Sequence, residues 1–186
     1  MALTTYAIDK THTDVIFAAK HMMVTTVRGK FGAVDGTLQL DLEDPTASSG
    51  SFTVQAASLT TGVEQRDGHL RSADFFDVES YPEITFVTTK VQAKGDDYAV
   101  TGDLTIRGAT HQATFDVESL GTFRSMAGAD RAGFHATTKI NREDWGLTWN
   151  VGLEAGGWLV SKDIKIEIDL AVERGPAATE AATSAA

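Results

Sequence analysis

The sequence predicts an all-β fold: an antiparallel sheet of about eight strands closed into a barrel, with one short helical segment near residues 64–77. Three observations predict it. Apolar and polar residues alternate with a period of two through much of the chain, as in Leu38, Leu40 and Leu42 against Thr37, Gln39 and Asp41; this is how a strand with one dry face is written. Short clusters of turn residues separate these runs, among them Asp44-Pro45-Thr46, Gly95-Asp96-Asp97, Arg107-Gly108-Ala109-Thr110 and Met126-Ala127-Gly128-Ala129-Asp130. Connections that short make successive strands pair antiparallel. Glycines 29, 32 and 36 fall inside a strand-like run, where they mark bulges or the coiling that closing a sheet requires.

In chain order, Val15, Phe17 and Ala19 form the first dry face, and a longer run follows over residues 25–35. After the leucine triplet, Phe52, Val54 and Ala56 alternate with Ser51, Thr53 and Gln55. Residues 64–77 break the pattern. Leu70, Ala73 and Phe76 recur there at three-residue spacing, and Ser72 stands where it would cap a second short turn. Alternation resumes with Ile84 and Phe86, then Tyr98, Val100, Leu104 and Ile106, then Phe115 and Val117, then Phe134, Ala136 and Ile140. The last strand is the clearest: Ile164, Ile166, Ile168 and Leu170 face one way, and Lys165, Glu167 and Asp169 the other. Residues 1–174 therefore read as one domain, and the Ala/Thr-rich residues 175–186, which lack a large apolar anchor, as a disordered tail.

Composition narrows the function classes. The chain has 186 residues, a formal charge of −10 and no cysteine, which excludes disulfides and thiol chemistry. Its Lys and Arg are unclustered, which argues against nucleic acid. No run approaches the roughly 20 apolar residues of a spanning helix. The first ten residues have neither a basic start nor an apolar stretch, so the expected location is cytoplasmic.

Five groups of residues carry a family resemblance. They are Ile8-Asp9-Lys10-Thr11-His12 with His21; Gly29-Lys30-Phe31 with Gly36; Arg66-Asp67-Gly68-His69-Leu70 with Asp74-Phe75-Phe76-Asp77 and Tyr81-Pro82; Gly102-Asp103-Leu104-Thr105-Ile106-Arg107-Gly108; and Asn141-Arg142-Glu143-Asp144-Trp145-Gly146-Leu147. In this order and spacing the chain resembles the YceI family of lipid-binding proteins over residues 6–174. The resemblance implies an extended, lipocalin-like barrel around a long apolar cavity. It also implies a polyprenoid ligand, an isoprenoid quinone or a polyprenyl diphosphate, that is sequestered or transported without catalysis. Many members of that family are periplasmic.

Physics argues for a cavity independently. Eight strands close around an interior that side chains fill or that admits one slender ligand, and the small residues Ala19, Ala56, Gly102 and Ala136 on dry faces favour the second outcome. The expected lining comprises Phe17, Ala19, Met22, Phe31, Leu38, Leu40, Phe52, Val54, Ala56, Phe86, Leu104, Phe115, Phe134, Ala136, Ile166 and Ile168, with His69, Phe75 and Phe76 from the helical segment and Trp145, Trp149 and Trp158 from a glycine-rich stretch. Phe75 and Phe76 either plug the barrel end or line its entrance, and the tryptophans form a mobile mouth or a plug. Arg66, Asp67 and Arg71, beside His69, could donate to a head group; alternatively Asp67 pairs with an arginine and holds the helix on the barrel.

His12, His21 and His69 match no metal spacing, and His111 and His135 stand alone, so neither metal nor cofactor is expected beyond a bound polyprenoid. No nucleophile elbow, phosphate loop or paired-histidine helix is present. The competing readings are a lipid hydrolase or isomerase using Asp67 and His69, and a stress-response interaction module. Where the chain self-associates, a homodimer is the expected form.

Overall fold

The computed structural model describes residues 3–126 and 128–174, so the expectation for residues 175–186 lies outside the described residues. Eleven strand segments alternate along the chain: β1 (Thr4–Ile8), β2 (Asp14–His21), β3 (Thr25–Phe31), β4 (Val34–Leu40), β5 (Ser49–Gln55), β6 (Leu59–Thr60), β7 (Glu83–Lys94), β8 (Asp97–Ile106), β9 (Ala109–Arg124), β10 (Asp130–Asn141) and β11 (Val160–Arg174). One helix, α1 (Glu64–Arg71), separates β6 from β7. All pairings are antiparallel, and β1 bonds to both β4 and β11, closing a ring of eight: β1, β4, β5, β7, β8, β9, β10 and β11.

The three remaining segments are continuations of ring strands. β2 prolongs β1 along β11, with Asp169 opposite Asp14 and Val172 opposite Ile8. β3 and β6 prolong β4 and β5 in the same way, with Phe31 opposite Leu59 and Val34 opposite Val54. The first three barrel strands are thus long ribbons, each broken once at a common level. Each break satisfies its own backbone. Thr13 Oγ1 accepts from Ala171 N–H and donates to Ala171 O. Ala33 N–H donates to Ser58 Oγ. Ala56 N–H donates to Pro82 O at 2.8 Å.

Two of the glycines inside strands serve packing. A Cβ on Gly29 would collide with the Phe17 ring, and one on Gly102 with the Phe86 ring. Each glycine lets an aromatic ring lie against the opposite strand, so the room that Gly102 leaves is taken by Phe86. Ser72 does not begin a second helix. It closes α1, its N–H donating to His69 O, and residues 72–77 follow as turns. The helix makes up only the first part of the expected window because its sole buried side chain is Asp67. Tertiary hydrogen bonds, not an apolar stripe, fix its length.

At the first break, Asp9 organises a small ionic clasp. Its side chain is 9% exposed, Arg131 bonds to its Oδ2 and to Glu173, and His12 lies 2.7 Å from the same Oδ2. The Thr11 hydroxyl, helped by His12 and the Thr11 N–H, outweighs burial and holds the Asp9 carboxyl at about 2. A carboxylate lowered on folding stabilises the protein above the ordinary value of about 3.9 and loses that effect as pH falls through about 2. Asp9→Asn is therefore expected to lower stability by about 2 kcal/mol at neutral pH, with the difference from wild type fading below pH ~4. Urea denaturation across that pH range measures it.

Candidate functional site

The alternating residues of the barrel turn inward around a continuous cavity of about 570 Å³. Its wall includes Val15, Phe17 and Ala19 of β2, Leu38 and Leu40 of β4, Phe52 and Val54 of β5, Ile84 and Phe86 of β7, Leu104 and Ile106 of β8, Phe115 and Val117 of β9, Phe134 and Ala136 of β10, and Ile164 to Leu170 at every second position of β11. Along β11 alone the lining runs from Val160 to Leu170, about 30 Å of strand at the usual rise per residue. The wall is apolar nearly throughout.

The two ends differ. One is closed by α1, the turns that follow it, and the short 3-10 segment Arg142–Trp145. Phe75 and Phe76 both face the cavity there. Phe76 packs edge-on against Phe31 at 5.7 Å and against Phe17 at 6.4 Å, while Phe75 lies 5.3 Å from Trp149. The opposite end opens between the connection after β4 and the far ends of β7 and β9. Its rim carries Asp41, Leu42, Pro45, Ser48, Thr88, Val91 and Thr122, with Leu42 52% exposed. Asp41 shapes the rim: its carboxylate accepts from the N–H groups of Asp44 and Glu43, which hold it below the usual carboxylate range.

Most of the expected lining residues meet in this wall, Phe31 and Trp145 included, as do Ile166 and Ile168. Five stand elsewhere. Met22 is half-exposed in the β2–β3 turn with φ 52°. Ala56 is buried, but in the 3-10 break after β5, where the strand parity that aimed it inward ends. Trp149 lies behind Phe75 as outer packing, Trp158 is 52% exposed, and neither lines the cavity. His69 lies on the solvent side of α1, 4.6 Å from the Trp149 ring and bonded to Asp74 at 2.8 Å.

The three head-group candidates also stand outside the cavity, because the strand ends beside α1 engage them. Asp67 accepts from the hydroxyls of Thr60 and Thr61 and from Thr61 N–H, which together, the Thr61 hydroxyl foremost, hold its carboxyl below the usual range. Arg66 donates to Thr61 Oγ1 and O. Arg71 donates to Ala57 O and Leu59 O, covering the free edge of β6. These contacts dock the helix through threonines and carbonyls, and Asp67 does not pair with an arginine. Nor do Asp67 and His69 meet as an acid and base: each bonds to a different partner.

One polar group at the closed end was not singled out by sequence reasoning. Arg142 is 4% exposed and forms part of the cavity wall. Its Nε donates to Ser161 O at 2.9 Å, its Nη1 donates to Leu147 O, and its guanidinium lies 5.9 Å from the Phe75 ring. Burial draws its pKa below the usual guanidinium value. Beside it the Trp145 indole donates to Leu104 O at 2.9 Å. The available signal was its place at the next alternate position after Phe134, Ala136 and Ile140 on the dry face of that strand. Among the described residues, no three His, Asp or Glu side chains are placed to share a metal, and no helix is long and apolar enough to cross a membrane.

Comparison with known proteins agrees with this geometry. The model of the YceI-like domain matches residues 6–172. A UPF0312 protein of Staphylococcus epidermidis is 40% identical over 166 residues, which are 89% of this chain and 95% of that protein. The crystal structure of a Campylobacter jejuni YceI protein superposes with a TM-score of 0.74 at 29% identity, covering 91% of this chain and 97% of that one. A polyisoprenoid binding domain from Saccharophagus degradans shares the fold, with a TM-score of 0.64 at 17% identity over 93% of this chain and 99% of its own.

The docking of α1 is directly testable. Asp67→Ala removes the acceptor of three bonds and is expected to lower the melting temperature by several degrees and to speed amide exchange across Glu64–Arg71. Arg66→Ala, which leaves those three bonds in place, should do less on both measures.

Proposed function

The chain belongs to the YceI-like domain family, and from that premise we propose that its barrel is a non-catalytic binding protein for one long-chain isoprenoid lipid, which it sequesters or carries. The observation that supports this most strongly is the continuous apolar cavity, blocked by aromatic rings at one end and open at the other. Removing apolar surface from water favours binding by about 25 cal/mol per Å², a term that grows with each isoprene unit. A slender branched chain suits a tunnel walled by aliphatic and aromatic side chains on eight strands. Isoprenoid quinones and polyprenyl diphosphates are the ligand kinds that the family resemblance implies, and the shared fold of a polyisoprenoid binding domain points the same way.

A binding role also accords with what the wall lacks for catalysis. Among the described residues its ionisable side chains are Asp41 at the rim, Tyr98 part-way along and Arg142 at the closed end, with no acid and base side by side.

Organic extraction of the purified protein followed by mass spectrometry is the primary test, with recovery of an isoprenoid expected. An extract free of any apolar molecule, from protein that also takes up no added prenol, defeats the reading. Ala136, in the middle of β10 with Val117 and Ile168 opposite it, is the place to block the tunnel. Ala136→Phe is expected to weaken prenol binding about tenfold or more while overpacking destabilises the fold by only about 1–3 kcal/mol. Ligand titration and thermal denaturation of the same sample separate the two effects.

A further inference from the structure

Two hairpin tips stand side by side where β11 begins, and both are apolar. The β2–β3 tip exposes Met22, Met23 and Val24, and residues 151–159 fold back on themselves through a bridge between Gly152 and Trp158 and expose Val151 and Trp158. Met22 N–H donates to Leu159 O at 2.9 Å, which joins the tips, and Met23 packs where a side chain on Gly157 would stand. Five large apolar side chains thus share one small surface. The turn itself does not call for them. Val24 N–H closes it on His21 O, and both central residues, Met22 and Met23, have positive φ, at 52° and 61°. Asn-Gly serves such a turn with less strain.

The charge behind the tips is opposite to that of the chain. Residues 15–31 hold Lys20, Arg28 and Lys30 and no carboxylate, in a protein of formal charge −10. All three cations are exposed and share the face of the hairpin opposite to Val15, Phe17 and Ala19. Lys20 bonds to the Thr26 hydroxyl, and among the described residues no carboxylate pairs with any of the three. Lys20 lies directly behind the tip, and Arg28 about 14 Å behind Val24 at the usual rise per residue. Glu154 is the only carboxylate in residues 150–159.

We propose that the paired tips dock the protein on an anionic lipid bilayer: Met22, Met23, Val24, Val151 and Trp158 enter the interface, and Lys20 and Arg28 meet the lipid phosphates. The inference goes beyond the isoprenoid reading and uses none of the cavity's lining. Five side chains on two turns are far fewer than the roughly 20–30 residues a side of a stable protein interface, whereas a fluid bilayer needs no matching shape. Trp favours the boundary between apolar and wet surroundings, and unbranched Met adapts to it. Cations close to an anionic surface add attraction. The acidic remainder of the molecule is repelled, which turns the tips toward the bilayer.

Vesicle flotation at about 0.01 M salt, where charges act over roughly 30 Å, tests this. Wild type is expected to bind vesicles of equal parts phosphatidylglycerol and phosphatidylcholine about tenfold or more tighter than phosphatidylcholine alone. Brominated acyl chains should quench part of the tryptophan fluorescence, and Trp158→Phe should remove that part. Met22→Asn with Met23→Gly is expected to keep or raise the melting temperature and to weaken vesicle binding about tenfold or more. Lys20→Gln with Arg28→Gln should weaken it about as much. If the methionine variant does not fold, the charge variant and the quenching still decide.

Wild type that stays off anionic vesicles, binding that the charge variant retains in full, or quenching that survives Trp158→Phe overturns the proposal. So does a dimer, seen by sedimentation in place of vesicle binding and abolished by Met22→Asn with Met23→Gly, which would make the tips a contact between two copies. The isoprenoid reading stands or falls separately, by what is extracted from the cavity.

Discussion

β11 carries hydrogen bonds on both flanks, to β10 from Asp163 to Arg174 on one side and to β2 and then β1 on the other. That double pairing turns a meander into a barrel. A closed sheet has no edge in its ring to recruit another chain, and period-two alternation then divides every strand into a wet outside and a dry inside. The inner positions of β11, Ile164, Ile166, Ile168 and Leu170, face the cavity, while Lys165, Glu167 and Asp169 occupy the alternate positions. The ionic clasp of Asp9, Arg131 and Glu173 stands where β11 passes from one partner to the next. It ties together three strands at the point where their ladder is interrupted.

Closure alone does not keep an interior open. Two of the interior glycines do not add free space, because Phe17 and Phe86 lean over Gly29 and Gly102. Those rings are thereby drawn flat against the wall, and the volume along the axis is left to the aliphatic side chains of β10 and β11. The aromatic residues that do obstruct the axis, Phe75 and Phe76, come from the turns after α1, where no strand ladder constrains them. Wall and plug are thus built by different parts of the chain under different rules: alternation sets the wall, and side-chain-to-backbone bonds around Thr60, Thr61, Ala57 and Leu59 set the plug.

That division explains what could be read from the sequence. Inward residues of β4, β5, β8 and β11 were legible because a one-residue slip would expose every one of them. Ala56 misled because the strand stops one residue before it, at a break written by tertiary pairing with Pro82 and not by local composition. Met22 was aimed wrongly for a similar reason, since Met22 and Met23 both take positive φ in a tight hairpin and turn outward. The charged run of α1 looked like a ligand site because sequence cannot tell a donor aimed at a ligand from one aimed at a neighbouring carbonyl. Arg66 and Arg71 are of the second kind.

Arg142 was missed for a related reason, since its bonds run to the backbone of the loops that close the barrel end. A barrel end closed by loops must satisfy many backbone carbonyls, and a guanidinium is an efficient way to bridge two of them at once. Trp145, three residues on, has one donor and spends it on one carbonyl, leaving nothing over. Arg142 bridges two, Ser161 O and Leu147 O, from a side chain that also forms part of the cavity wall.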